Sequence, residues 1–279
     1  MKSTGYRKLE LREVQLLQLE LMKEVDKFCT MNNIQYYFIG GSCLGAIRHN
    51  GFIPWDDDID IAMMRDDYER FISISKTHFN NEKYFVQNYE SDSWMIPALT
   101  RLCIRNTYVD IRSEQHHKNC KNTYIDVFPL DNVPDDNNLM KKHCSTLNTI
   151  DRLIQLKQYH LYKDSKIEYI AKKIVSIILS IIPMCFLKKR RIMVMSKYRR
   201  EKTSRVCSTT SRYGYTKQVM SREIYGTPIK RIFEGYMFCV PEKYDEYLKN
   251  LYGNSYMEIP SVNSRVKPQN IYIDEDFNL

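Results

Sequence analysis

Glycine is scarce in this chain, with 9 copies in 279 residues. No Gly/Ser linker divides it, and it has no internal repeat or low-complexity tract, which argues against a string of tethered modules. Eight cysteines stand at 29, 43, 103, 120, 144, 185, 207 and 239. No two form a C-x-x-C pair or stand at zinc-ligand spacing, so a zinc ribbon or a dithiol redox motif is not expected. Their scatter points to a reducing cytosol. "MKSTGYRKLELREVQ" is charged throughout and lacks the apolar core of a secretory leader. The longest apolar stretch, "IVSIILSIIPMCFL", runs only from 174 to 187, short of the roughly 20 residues that cross a bilayer. A cytoplasmic protein is therefore expected.

Apolar residues make up 43% and charged residues 27%, the balance of a globular protein with a substantial core. The net charge of +8 hides an asymmetry. Residues 141 to 231 hold 22 Lys/Arg against 5 Asp/Glu; that segment carries +17, and the remainder about −9. The basic part includes the Ile-rich run, preceded by Lys172 and Lys173 and followed by "KKRR" at 188–191. Two readings stand: a buried helix kinked at Pro183, or an amphipathic segment on the anionic inner face of a membrane.

Val14, Leu17, Leu21, Val25 and Phe28 recur at steps of three and four, which predicts a helix with one buried face. "IQYYFI" (34–39) reads as a strand, "GGS" as a turn, and "CLGAIRHN" as a short helix ended by Asn50-Gly51. "DIDIAM" alternates at period two, as a strand does. "RDDYERFISISKTHF" reads as a helix with Tyr68, Phe71, Ile72 and Ser75 on one side; "KYFVQNYE" and "NTYIDVFPL" read as strands. The chain is then mostly helical to about 205. The strand "GYMFCVP" and the helix "EKYDEYLKNLYG" come near its end. The class is α/β or α+β.

"GFIPWDDDIDIAM" (51–63) sets Asp56, Asp57, Asp58 and Asp60 against a segment that reads as buried. Packed carboxylates repel one another and resist leaving water. On a strand Asp58 and Asp60 project together while Ile59 and Ile61 face the core; Asp56 shares their parity if the strand starts early. Such a pair suits a hard divalent cation shared with substrate phosphates. A solvated acidic turn is the plainer alternative. A calcium loop is excluded because Ile61 stands where glycine is required. Gly40, Gly41 and Ser42, between strand and helix, offer backbone N–H groups to a phosphate. Asp126 in "YIDVF" is a third acid, flanked by Ile125 and Val127. It would complete a metal site or take the proton of an attacking hydroxyl. Phosphate cradle and acids facing one cleft are what phosphoryl or nucleotidyl transfer requires.

"IGGSCLGAIRHNGFIPWDDDIDIAM" resembles the central motif of the LicD family, the phosphocholine transferases that also resemble fukutin and fukutin-related proteins. "YIDVFPLDNVP" (124–134) and "FEGYMFCVPEKYDEYLKNLYGNSYMEIP" (233–260) resemble its second and C-terminal blocks. The tail departs from the pattern, with Ser261 and Pro268 where a second proline and a histidine are expected. The resemblance implies a nucleotidyltransferase-like mixed sheet with flanking helices. Together with the charge asymmetry, the motifs divide the chain into a catalytic core with an N-terminal helix (1–140), a basic helical middle insertion (141–231) in which no family motif is found, and a strand–helix block packing back on the core (232–279). The resemblance implies a CDP-alcohol donor such as CDP-choline, and a cell-surface glycan or lipid-linked glycan acceptor such as teichoic acid, lipopolysaccharide or capsule. CMP is released. Asp58, Asp60 and Asp126 would hold Mg²⁺ or Mn²⁺ and carry the catalysis. Gly40, Gly41, Ser42, Arg48 and Arg101 would line the donor phosphates.

Other residues have two readings each. Arg48 and His49 either reach a phosphate or favourably end a helix. Trp55 either packs a choline cation or packs its loop. Arg101 and Arg105 either read the diphosphate or face solvent, and Glu234 is either a site acid or a cross-strand ion pair. Two other functions use the same features: a nucleotidyltransferase that releases pyrophosphate, and a non-enzymatic anion or membrane binder. Nucleic acid is not expected as a partner, since a pure anion binder gains nothing from the acids.

Overall fold

The computed structural model describes residues 5–89, 92, 95, 97–109, 122–158 and 181–274. After β1 (Tyr6–Lys8), helix α1 (Leu11–Met31) begins at a capping box in which the Glu10 N–H donates to the Glu13 carboxylate at 2.8 Å. The apolar spacing of α1 buries Val14, Leu17, Leu21, Val25 and Phe28. There follow β2 (Tyr37–Phe38), α2 (Gly40–Arg48), β3 (Ile59–Met64), α3 (Arg65–Phe79), β4 (Tyr84–Asn88), β5 (Thr100–Ile104), β6 (Thr107–Val109) and β7 (Tyr124–Val133). The second half holds α4 (Asn137–Gln158), α5 (Met184–Met195), β8 (Arg205–Cys207), β9 (Val219–Ser221), β10 (Ile229–Phe233), β11 (Tyr236–Val240), α6 (Tyr244–Tyr252) and β12 (Ile271–Asp274).

The central sheet runs β2-β3-β7-β5-β4. β3 and β7 are parallel, while β2 on β3, β5 on β7, and β4 on β5 are antiparallel. This is the α+β class read from the sequence, and the mixed sheet with flanking helices that the resemblance implies. β7 is long enough to serve two partners in tandem: residues 124–127 pair with β5, and Asp131–Val133 pair with β8. Segment 141–231 is therefore not helical alone, and its strand β8 joins the core sheet. β12 lies between β1 and β6 in a separate three-stranded sheet. The Ile-rich run lies outside the described residues as far as position 180.

Asp131 is 1% exposed and takes both Nε (2.7 Å) and Nη2 (2.6 Å) of Arg65. This forked pair fixes the start of α3 on β7. The β10–β11 hairpin turns through Glu234 (φ +51°) and Gly235 (φ +78°), the two left-handed positions that a tight hairpin demands. A glutamate in that conformation is explained by its side chain, which accepts from the Phe52 N–H at 3.1 Å and pairs with Arg12.

Candidate active site

β3 and β7 bring the acids together. Asp60 stands opposite Asp126 in the parallel register, and Arg101 stands opposite Asp126 on the other side, from β5. Residues in register on neighbouring strands share a face. The β3 core face is filled by Ile59 and Ile61, both fully buried, so the acids take the other one. Asp58 precedes the strand. Ligand oxygens of Asp56, Asp57 and Asp58 lie within 4.8 Å of one another. That grouping omits Asp60 and Asp126, yet both bear electrostatically on Asp58 or its neighbours, so the acids form one cluster around Asp58.

Charge is the cluster's dominant property. Burial, then Asp57, pushes the Asp56 carboxyl up to about 6. Burial, then Asp56, Asp57 and Asp126, pushes Asp58 up to about 8. Burial and the charges of Asp58 and Asp126 hold Asp60 well above the carboxylate range. Burial raises Asp126 as well, opposed by Arg101, whose Nε donates to Oδ1 at 2.9 Å. The Arg101 guanidinium also lies 3.9 Å from the Tyr124 ring centroid. A set of half-buried hard-oxygen donors that repel one another fits a divalent cation and is costly without one.

The "GGS" segment is the first turn of α2, not a turn before it. Gly40 adopts φ +53°, and its N–H donates to the Tyr247 hydroxyl at 2.9 Å. The Ser42 hydroxyl accepts from the Asp60 N–H at 2.8 Å, which ties α2 to β3. A Cβ at Gly41 would stand 2.4 Å from Asp56 Oδ2. Glycine there lets a carboxylate sit against the start of the helix, where the macrodipole favours it.

Beside the acids opens a cleft of about 580 Å³, lined by Gly41, Arg48, Trp55, Asp56, Arg212 and the loop from Ser255 to Val266, among others. Arg48 Nη1 donates to the carbonyls of Tyr256 (2.8 Å) and Glu258 (3.0 Å), holding that loop over the cleft. Its Nε donates to the His49 ring at 3.0 Å. Gln269 N–H donates to Asp57 Oδ2 at 2.6 Å and ties the segment after that loop to the acidic run. Arg105 serves elsewhere, donating to the carbonyls of Asn81 and Tyr84.

One member of the site escapes the sequence motifs, while Asp56 lies inside the acidic run and was legible through its parity with Asp58. Arg212, in the loop after β8, feels the charges of Asp58 and Asp60: burial lowers its pKa, and the Tyr213 hydrogen bond and those acids raise it on balance. It is the cation on the cleft wall closest in influence to the acids.

The sequence model of the family described as LicD/FKTN/FKRP, nucleotidyltransferase domain, matches residues 33–169. That match takes in β3 and β7 and so every acid of the cluster. The chain is also similar to a lipopolysaccharide cholinephosphotransferase, LicD, of Haemophilus influenzae. The two are 31% identical over 279 residues, covering 95% of this chain and 97% of the relative. An uncharacterized protein of Rickettsia typhi is 45% identical over 69 residues, 25% of this chain and 22% of that protein.

Proposed function

This chain belongs to the LicD family, and from that premise we propose that it transfers a phospho-alcohol, phosphocholine in the first instance, from a CDP-activated donor to a glycan hydroxyl. The observation that carries the reading is the juxtaposition of Asp60 and Asp126 in register, with Asp58 beside them and a cleft opening at Asp56. The full-length likeness to a lipopolysaccharide cholinephosphotransferase supports phosphocholine as the group and a glycan as the acceptor.

In the reaction the acceptor oxygen bonds to the distal phosphorus, and the bond from that phosphorus to the bridging oxygen breaks. The oxygen leaves with CMP, and the hydroxyl proton passes to a base. Asp58 and Asp60 would hold the Mg²⁺ or Mn²⁺ that neutralises phosphate charge when bound. Asp126, whose carboxylate accepts from Arg101 Nε, would take the hydroxyl proton or add a third ligand. Arg212, on the wall of the same cleft, would offer a guanidinium fork to the phosphates. The Arg48 and Gln269 bonds shape the cleft by holding the Tyr256–Gln269 loop in place. No helix among the described residues is long and apolar enough to cross a membrane. The reading places the enzyme in the cytoplasm and brings a lipid-linked acceptor to it through peripheral contact by the basic segment.

The deciding experiment incubates the purified protein with Mg²⁺ and CDP-choline, CDP-glycerol or CDP-ribitol, and a glycan acceptor, and measures CMP and phospho-alcohol incorporation. CMP release matched by labelled glycan is the expected result. Pyrophosphate release from CTP in place of CMP release would instead make the chain a nucleotidyltransferase.

A further inference from the structure

The cleft has an aromatic corner that the transfer step itself leaves unused. Its wall carries Trp55 with Tyr213, Tyr252 and Tyr256. The Tyr213 and Tyr252 rings meet edge to face at 5.9 Å, and their hydroxyls bond at 3.1 Å. A cation already sits there: the Arg265 guanidinium carbon lies 4.1 Å from the centroid of the Trp55 ring. Arg265 follows the short turn Val262–Ser264 and donates from Nε to the Pro260 carbonyl at 3.2 Å. Among the described residues no acid pairs with it. The ring quadrupole of Trp55 is therefore the main cationic contact that holds the guanidinium in the cleft.

We infer that this corner is the seat for a quaternary-ammonium head on the transferred alcohol, and that Arg265 fills it until the donor arrives. The inference rests on the transfer reading and adds the specificity determinant to it. A quaternary ammonium makes no hydrogen bonds, so it is recognised by aromatic faces and diffuse negative charge. The corner supplies the faces, and Asp56 and Glu258 line the same cleft, in which Arg48 and Arg212 stand as well. Leu44 and Ile53 add apolar surface to the same cleft, which suits the methyl groups of such a head. Trp55 also adjoins Asp56 in the chain, so a head seated on the ring leaves its phosphate beside the acids. Arg265 and the ligand compete for one ring face, so removing the arginine should strengthen binding.

The test measures binding of choline chloride and of its uncharged isostere 3,3-dimethylbutan-1-ol to the whole protein by calorimetry. Wild type should bind choline about tenfold tighter than the isostere. Arg265→Gln should tighten choline by roughly three- to tenfold and leave the isostere unchanged. Trp55→Leu should weaken choline about tenfold, and Trp55→Phe less, since the face of phenylalanine attracts cations less strongly. The phenylalanine variant also keeps the ring packing if leucine perturbs the fold. Equal affinity for choline and isostere, or unchanged or weaker choline binding by Arg265→Gln, would overturn the inference. Free choline needs no turnover, so the two readings separate. CMP release from CDP-glycerol as fast as from CDP-choline, with choline unbound, removes the seat and keeps the transferase. Choline bound in the expected pattern with no CMP release keeps the seat and removes the transferase.

Discussion

Asp60 on β3 and Asp126 on β7 stand side by side in the parallel register, and only Asp126 has an arginine bonded to it. This asymmetry separates the roles of two acids that the sequence presents alike. Asp126 is partly neutralised and oriented. Asp60 feels the repulsion of Asp58, eased by the charge of Arg212, and that repulsion is what a cation would relieve. Asp60→Asn and Asp58→Asn should each lower transfer roughly 10³-fold or more, the loss of several kcal/mol of transition-state charge stabilisation. The metal-free fold should hold or gain stability, because each change removes a repelling charge. CMP release and melting curves with and without MgCl₂ check this; near-normal turnover in either variant removes Asp58 and Asp60 as ligands.

The same repulsion sets a pH dependence. Asp58 is pushed up to about 8 and Asp56 to about 6, both above the ordinary carboxylate range near 4. Between those values the folded state holds protons that the unfolded state has released, so metal-free stability falls as pH rises from about 4 to about 8. A cation replaces those protons and competes with them. The rise in Tm on adding MgCl₂ should therefore be larger at pH 8 than at pH 5.5. An equal or smaller rise at pH 8 would mean that the acids are not the metal site.

Asp126→Asn should lower kcat more than donor affinity if Asp126 takes the hydroxyl proton, because that proton moves only in the transition state. Calorimetry with CDP-choline should then give a Kd within a few-fold of wild type. Complete loss of donor binding would make Asp126 a metal ligand instead. Arg101→Met frees the same carboxylate from its partner and should slow transfer without abolishing donor binding.

Legibility in the sequence followed periodicity. Asp60 was readable because it alternates with Ile59 and Ile61, which marked the core face; Asp58, read as its partner on the strand, lies just before β3. α1 and α3 were readable from steps of three and four. Arg212 was not, because it lies in an aperiodic loop and reaches the acids only through the pairing of β8 with β7, a contact between residues some 75 positions apart. The role of Glu234 was hidden for a similar reason. Its partners Arg12 and Phe52 belong to distant segments, and through them it ties the β10–β11 turn to α1 and to the segment before β3. "GGS" looked like a free phosphate turn because sequence cannot show that Tyr247 and Asp60 already engage Gly40 and Ser42.

Arg212→Gln tests whether the cleft reads phosphate from two sides. Removing a charge-assisted fork should weaken CDP-choline binding about tenfold or more. It should leave free choline untouched, since the phosphates and not the head are its target. A variant with full donor affinity would limit Arg212 to balancing the acids.

The run "KKRR" reads as one cationic patch, but α5 divides it. Lys188 is 6% and Arg191 4% exposed. Lys188 Nζ donates to the carbonyls of Tyr89 (3.1 Å) and Asp92 (2.6 Å), and Arg191 pairs with Asp151. Lys189 and Arg190 face solvent beside exposed Phe186 and Met193. Only this outward pair can meet an anionic surface, each charge contributing about 1 kcal/mol there. Replacing all four cations would therefore confuse docking with unfolding. Lys188→Gln with Arg191→Gln should cost about 2 kcal/mol or more, by leaving buried partners unmatched, and lower the Tm by several degrees. Lys189→Gln with Arg190→Gln should keep the Tm and weaken co-sedimentation with phosphatidylglycerol vesicles, which salt should also disrupt in the wild type. If wild-type protein ignores such vesicles at low salt, the acceptor does not reach the enzyme through peripheral contact of this segment. The outward charges then serve only to keep α5 solvated.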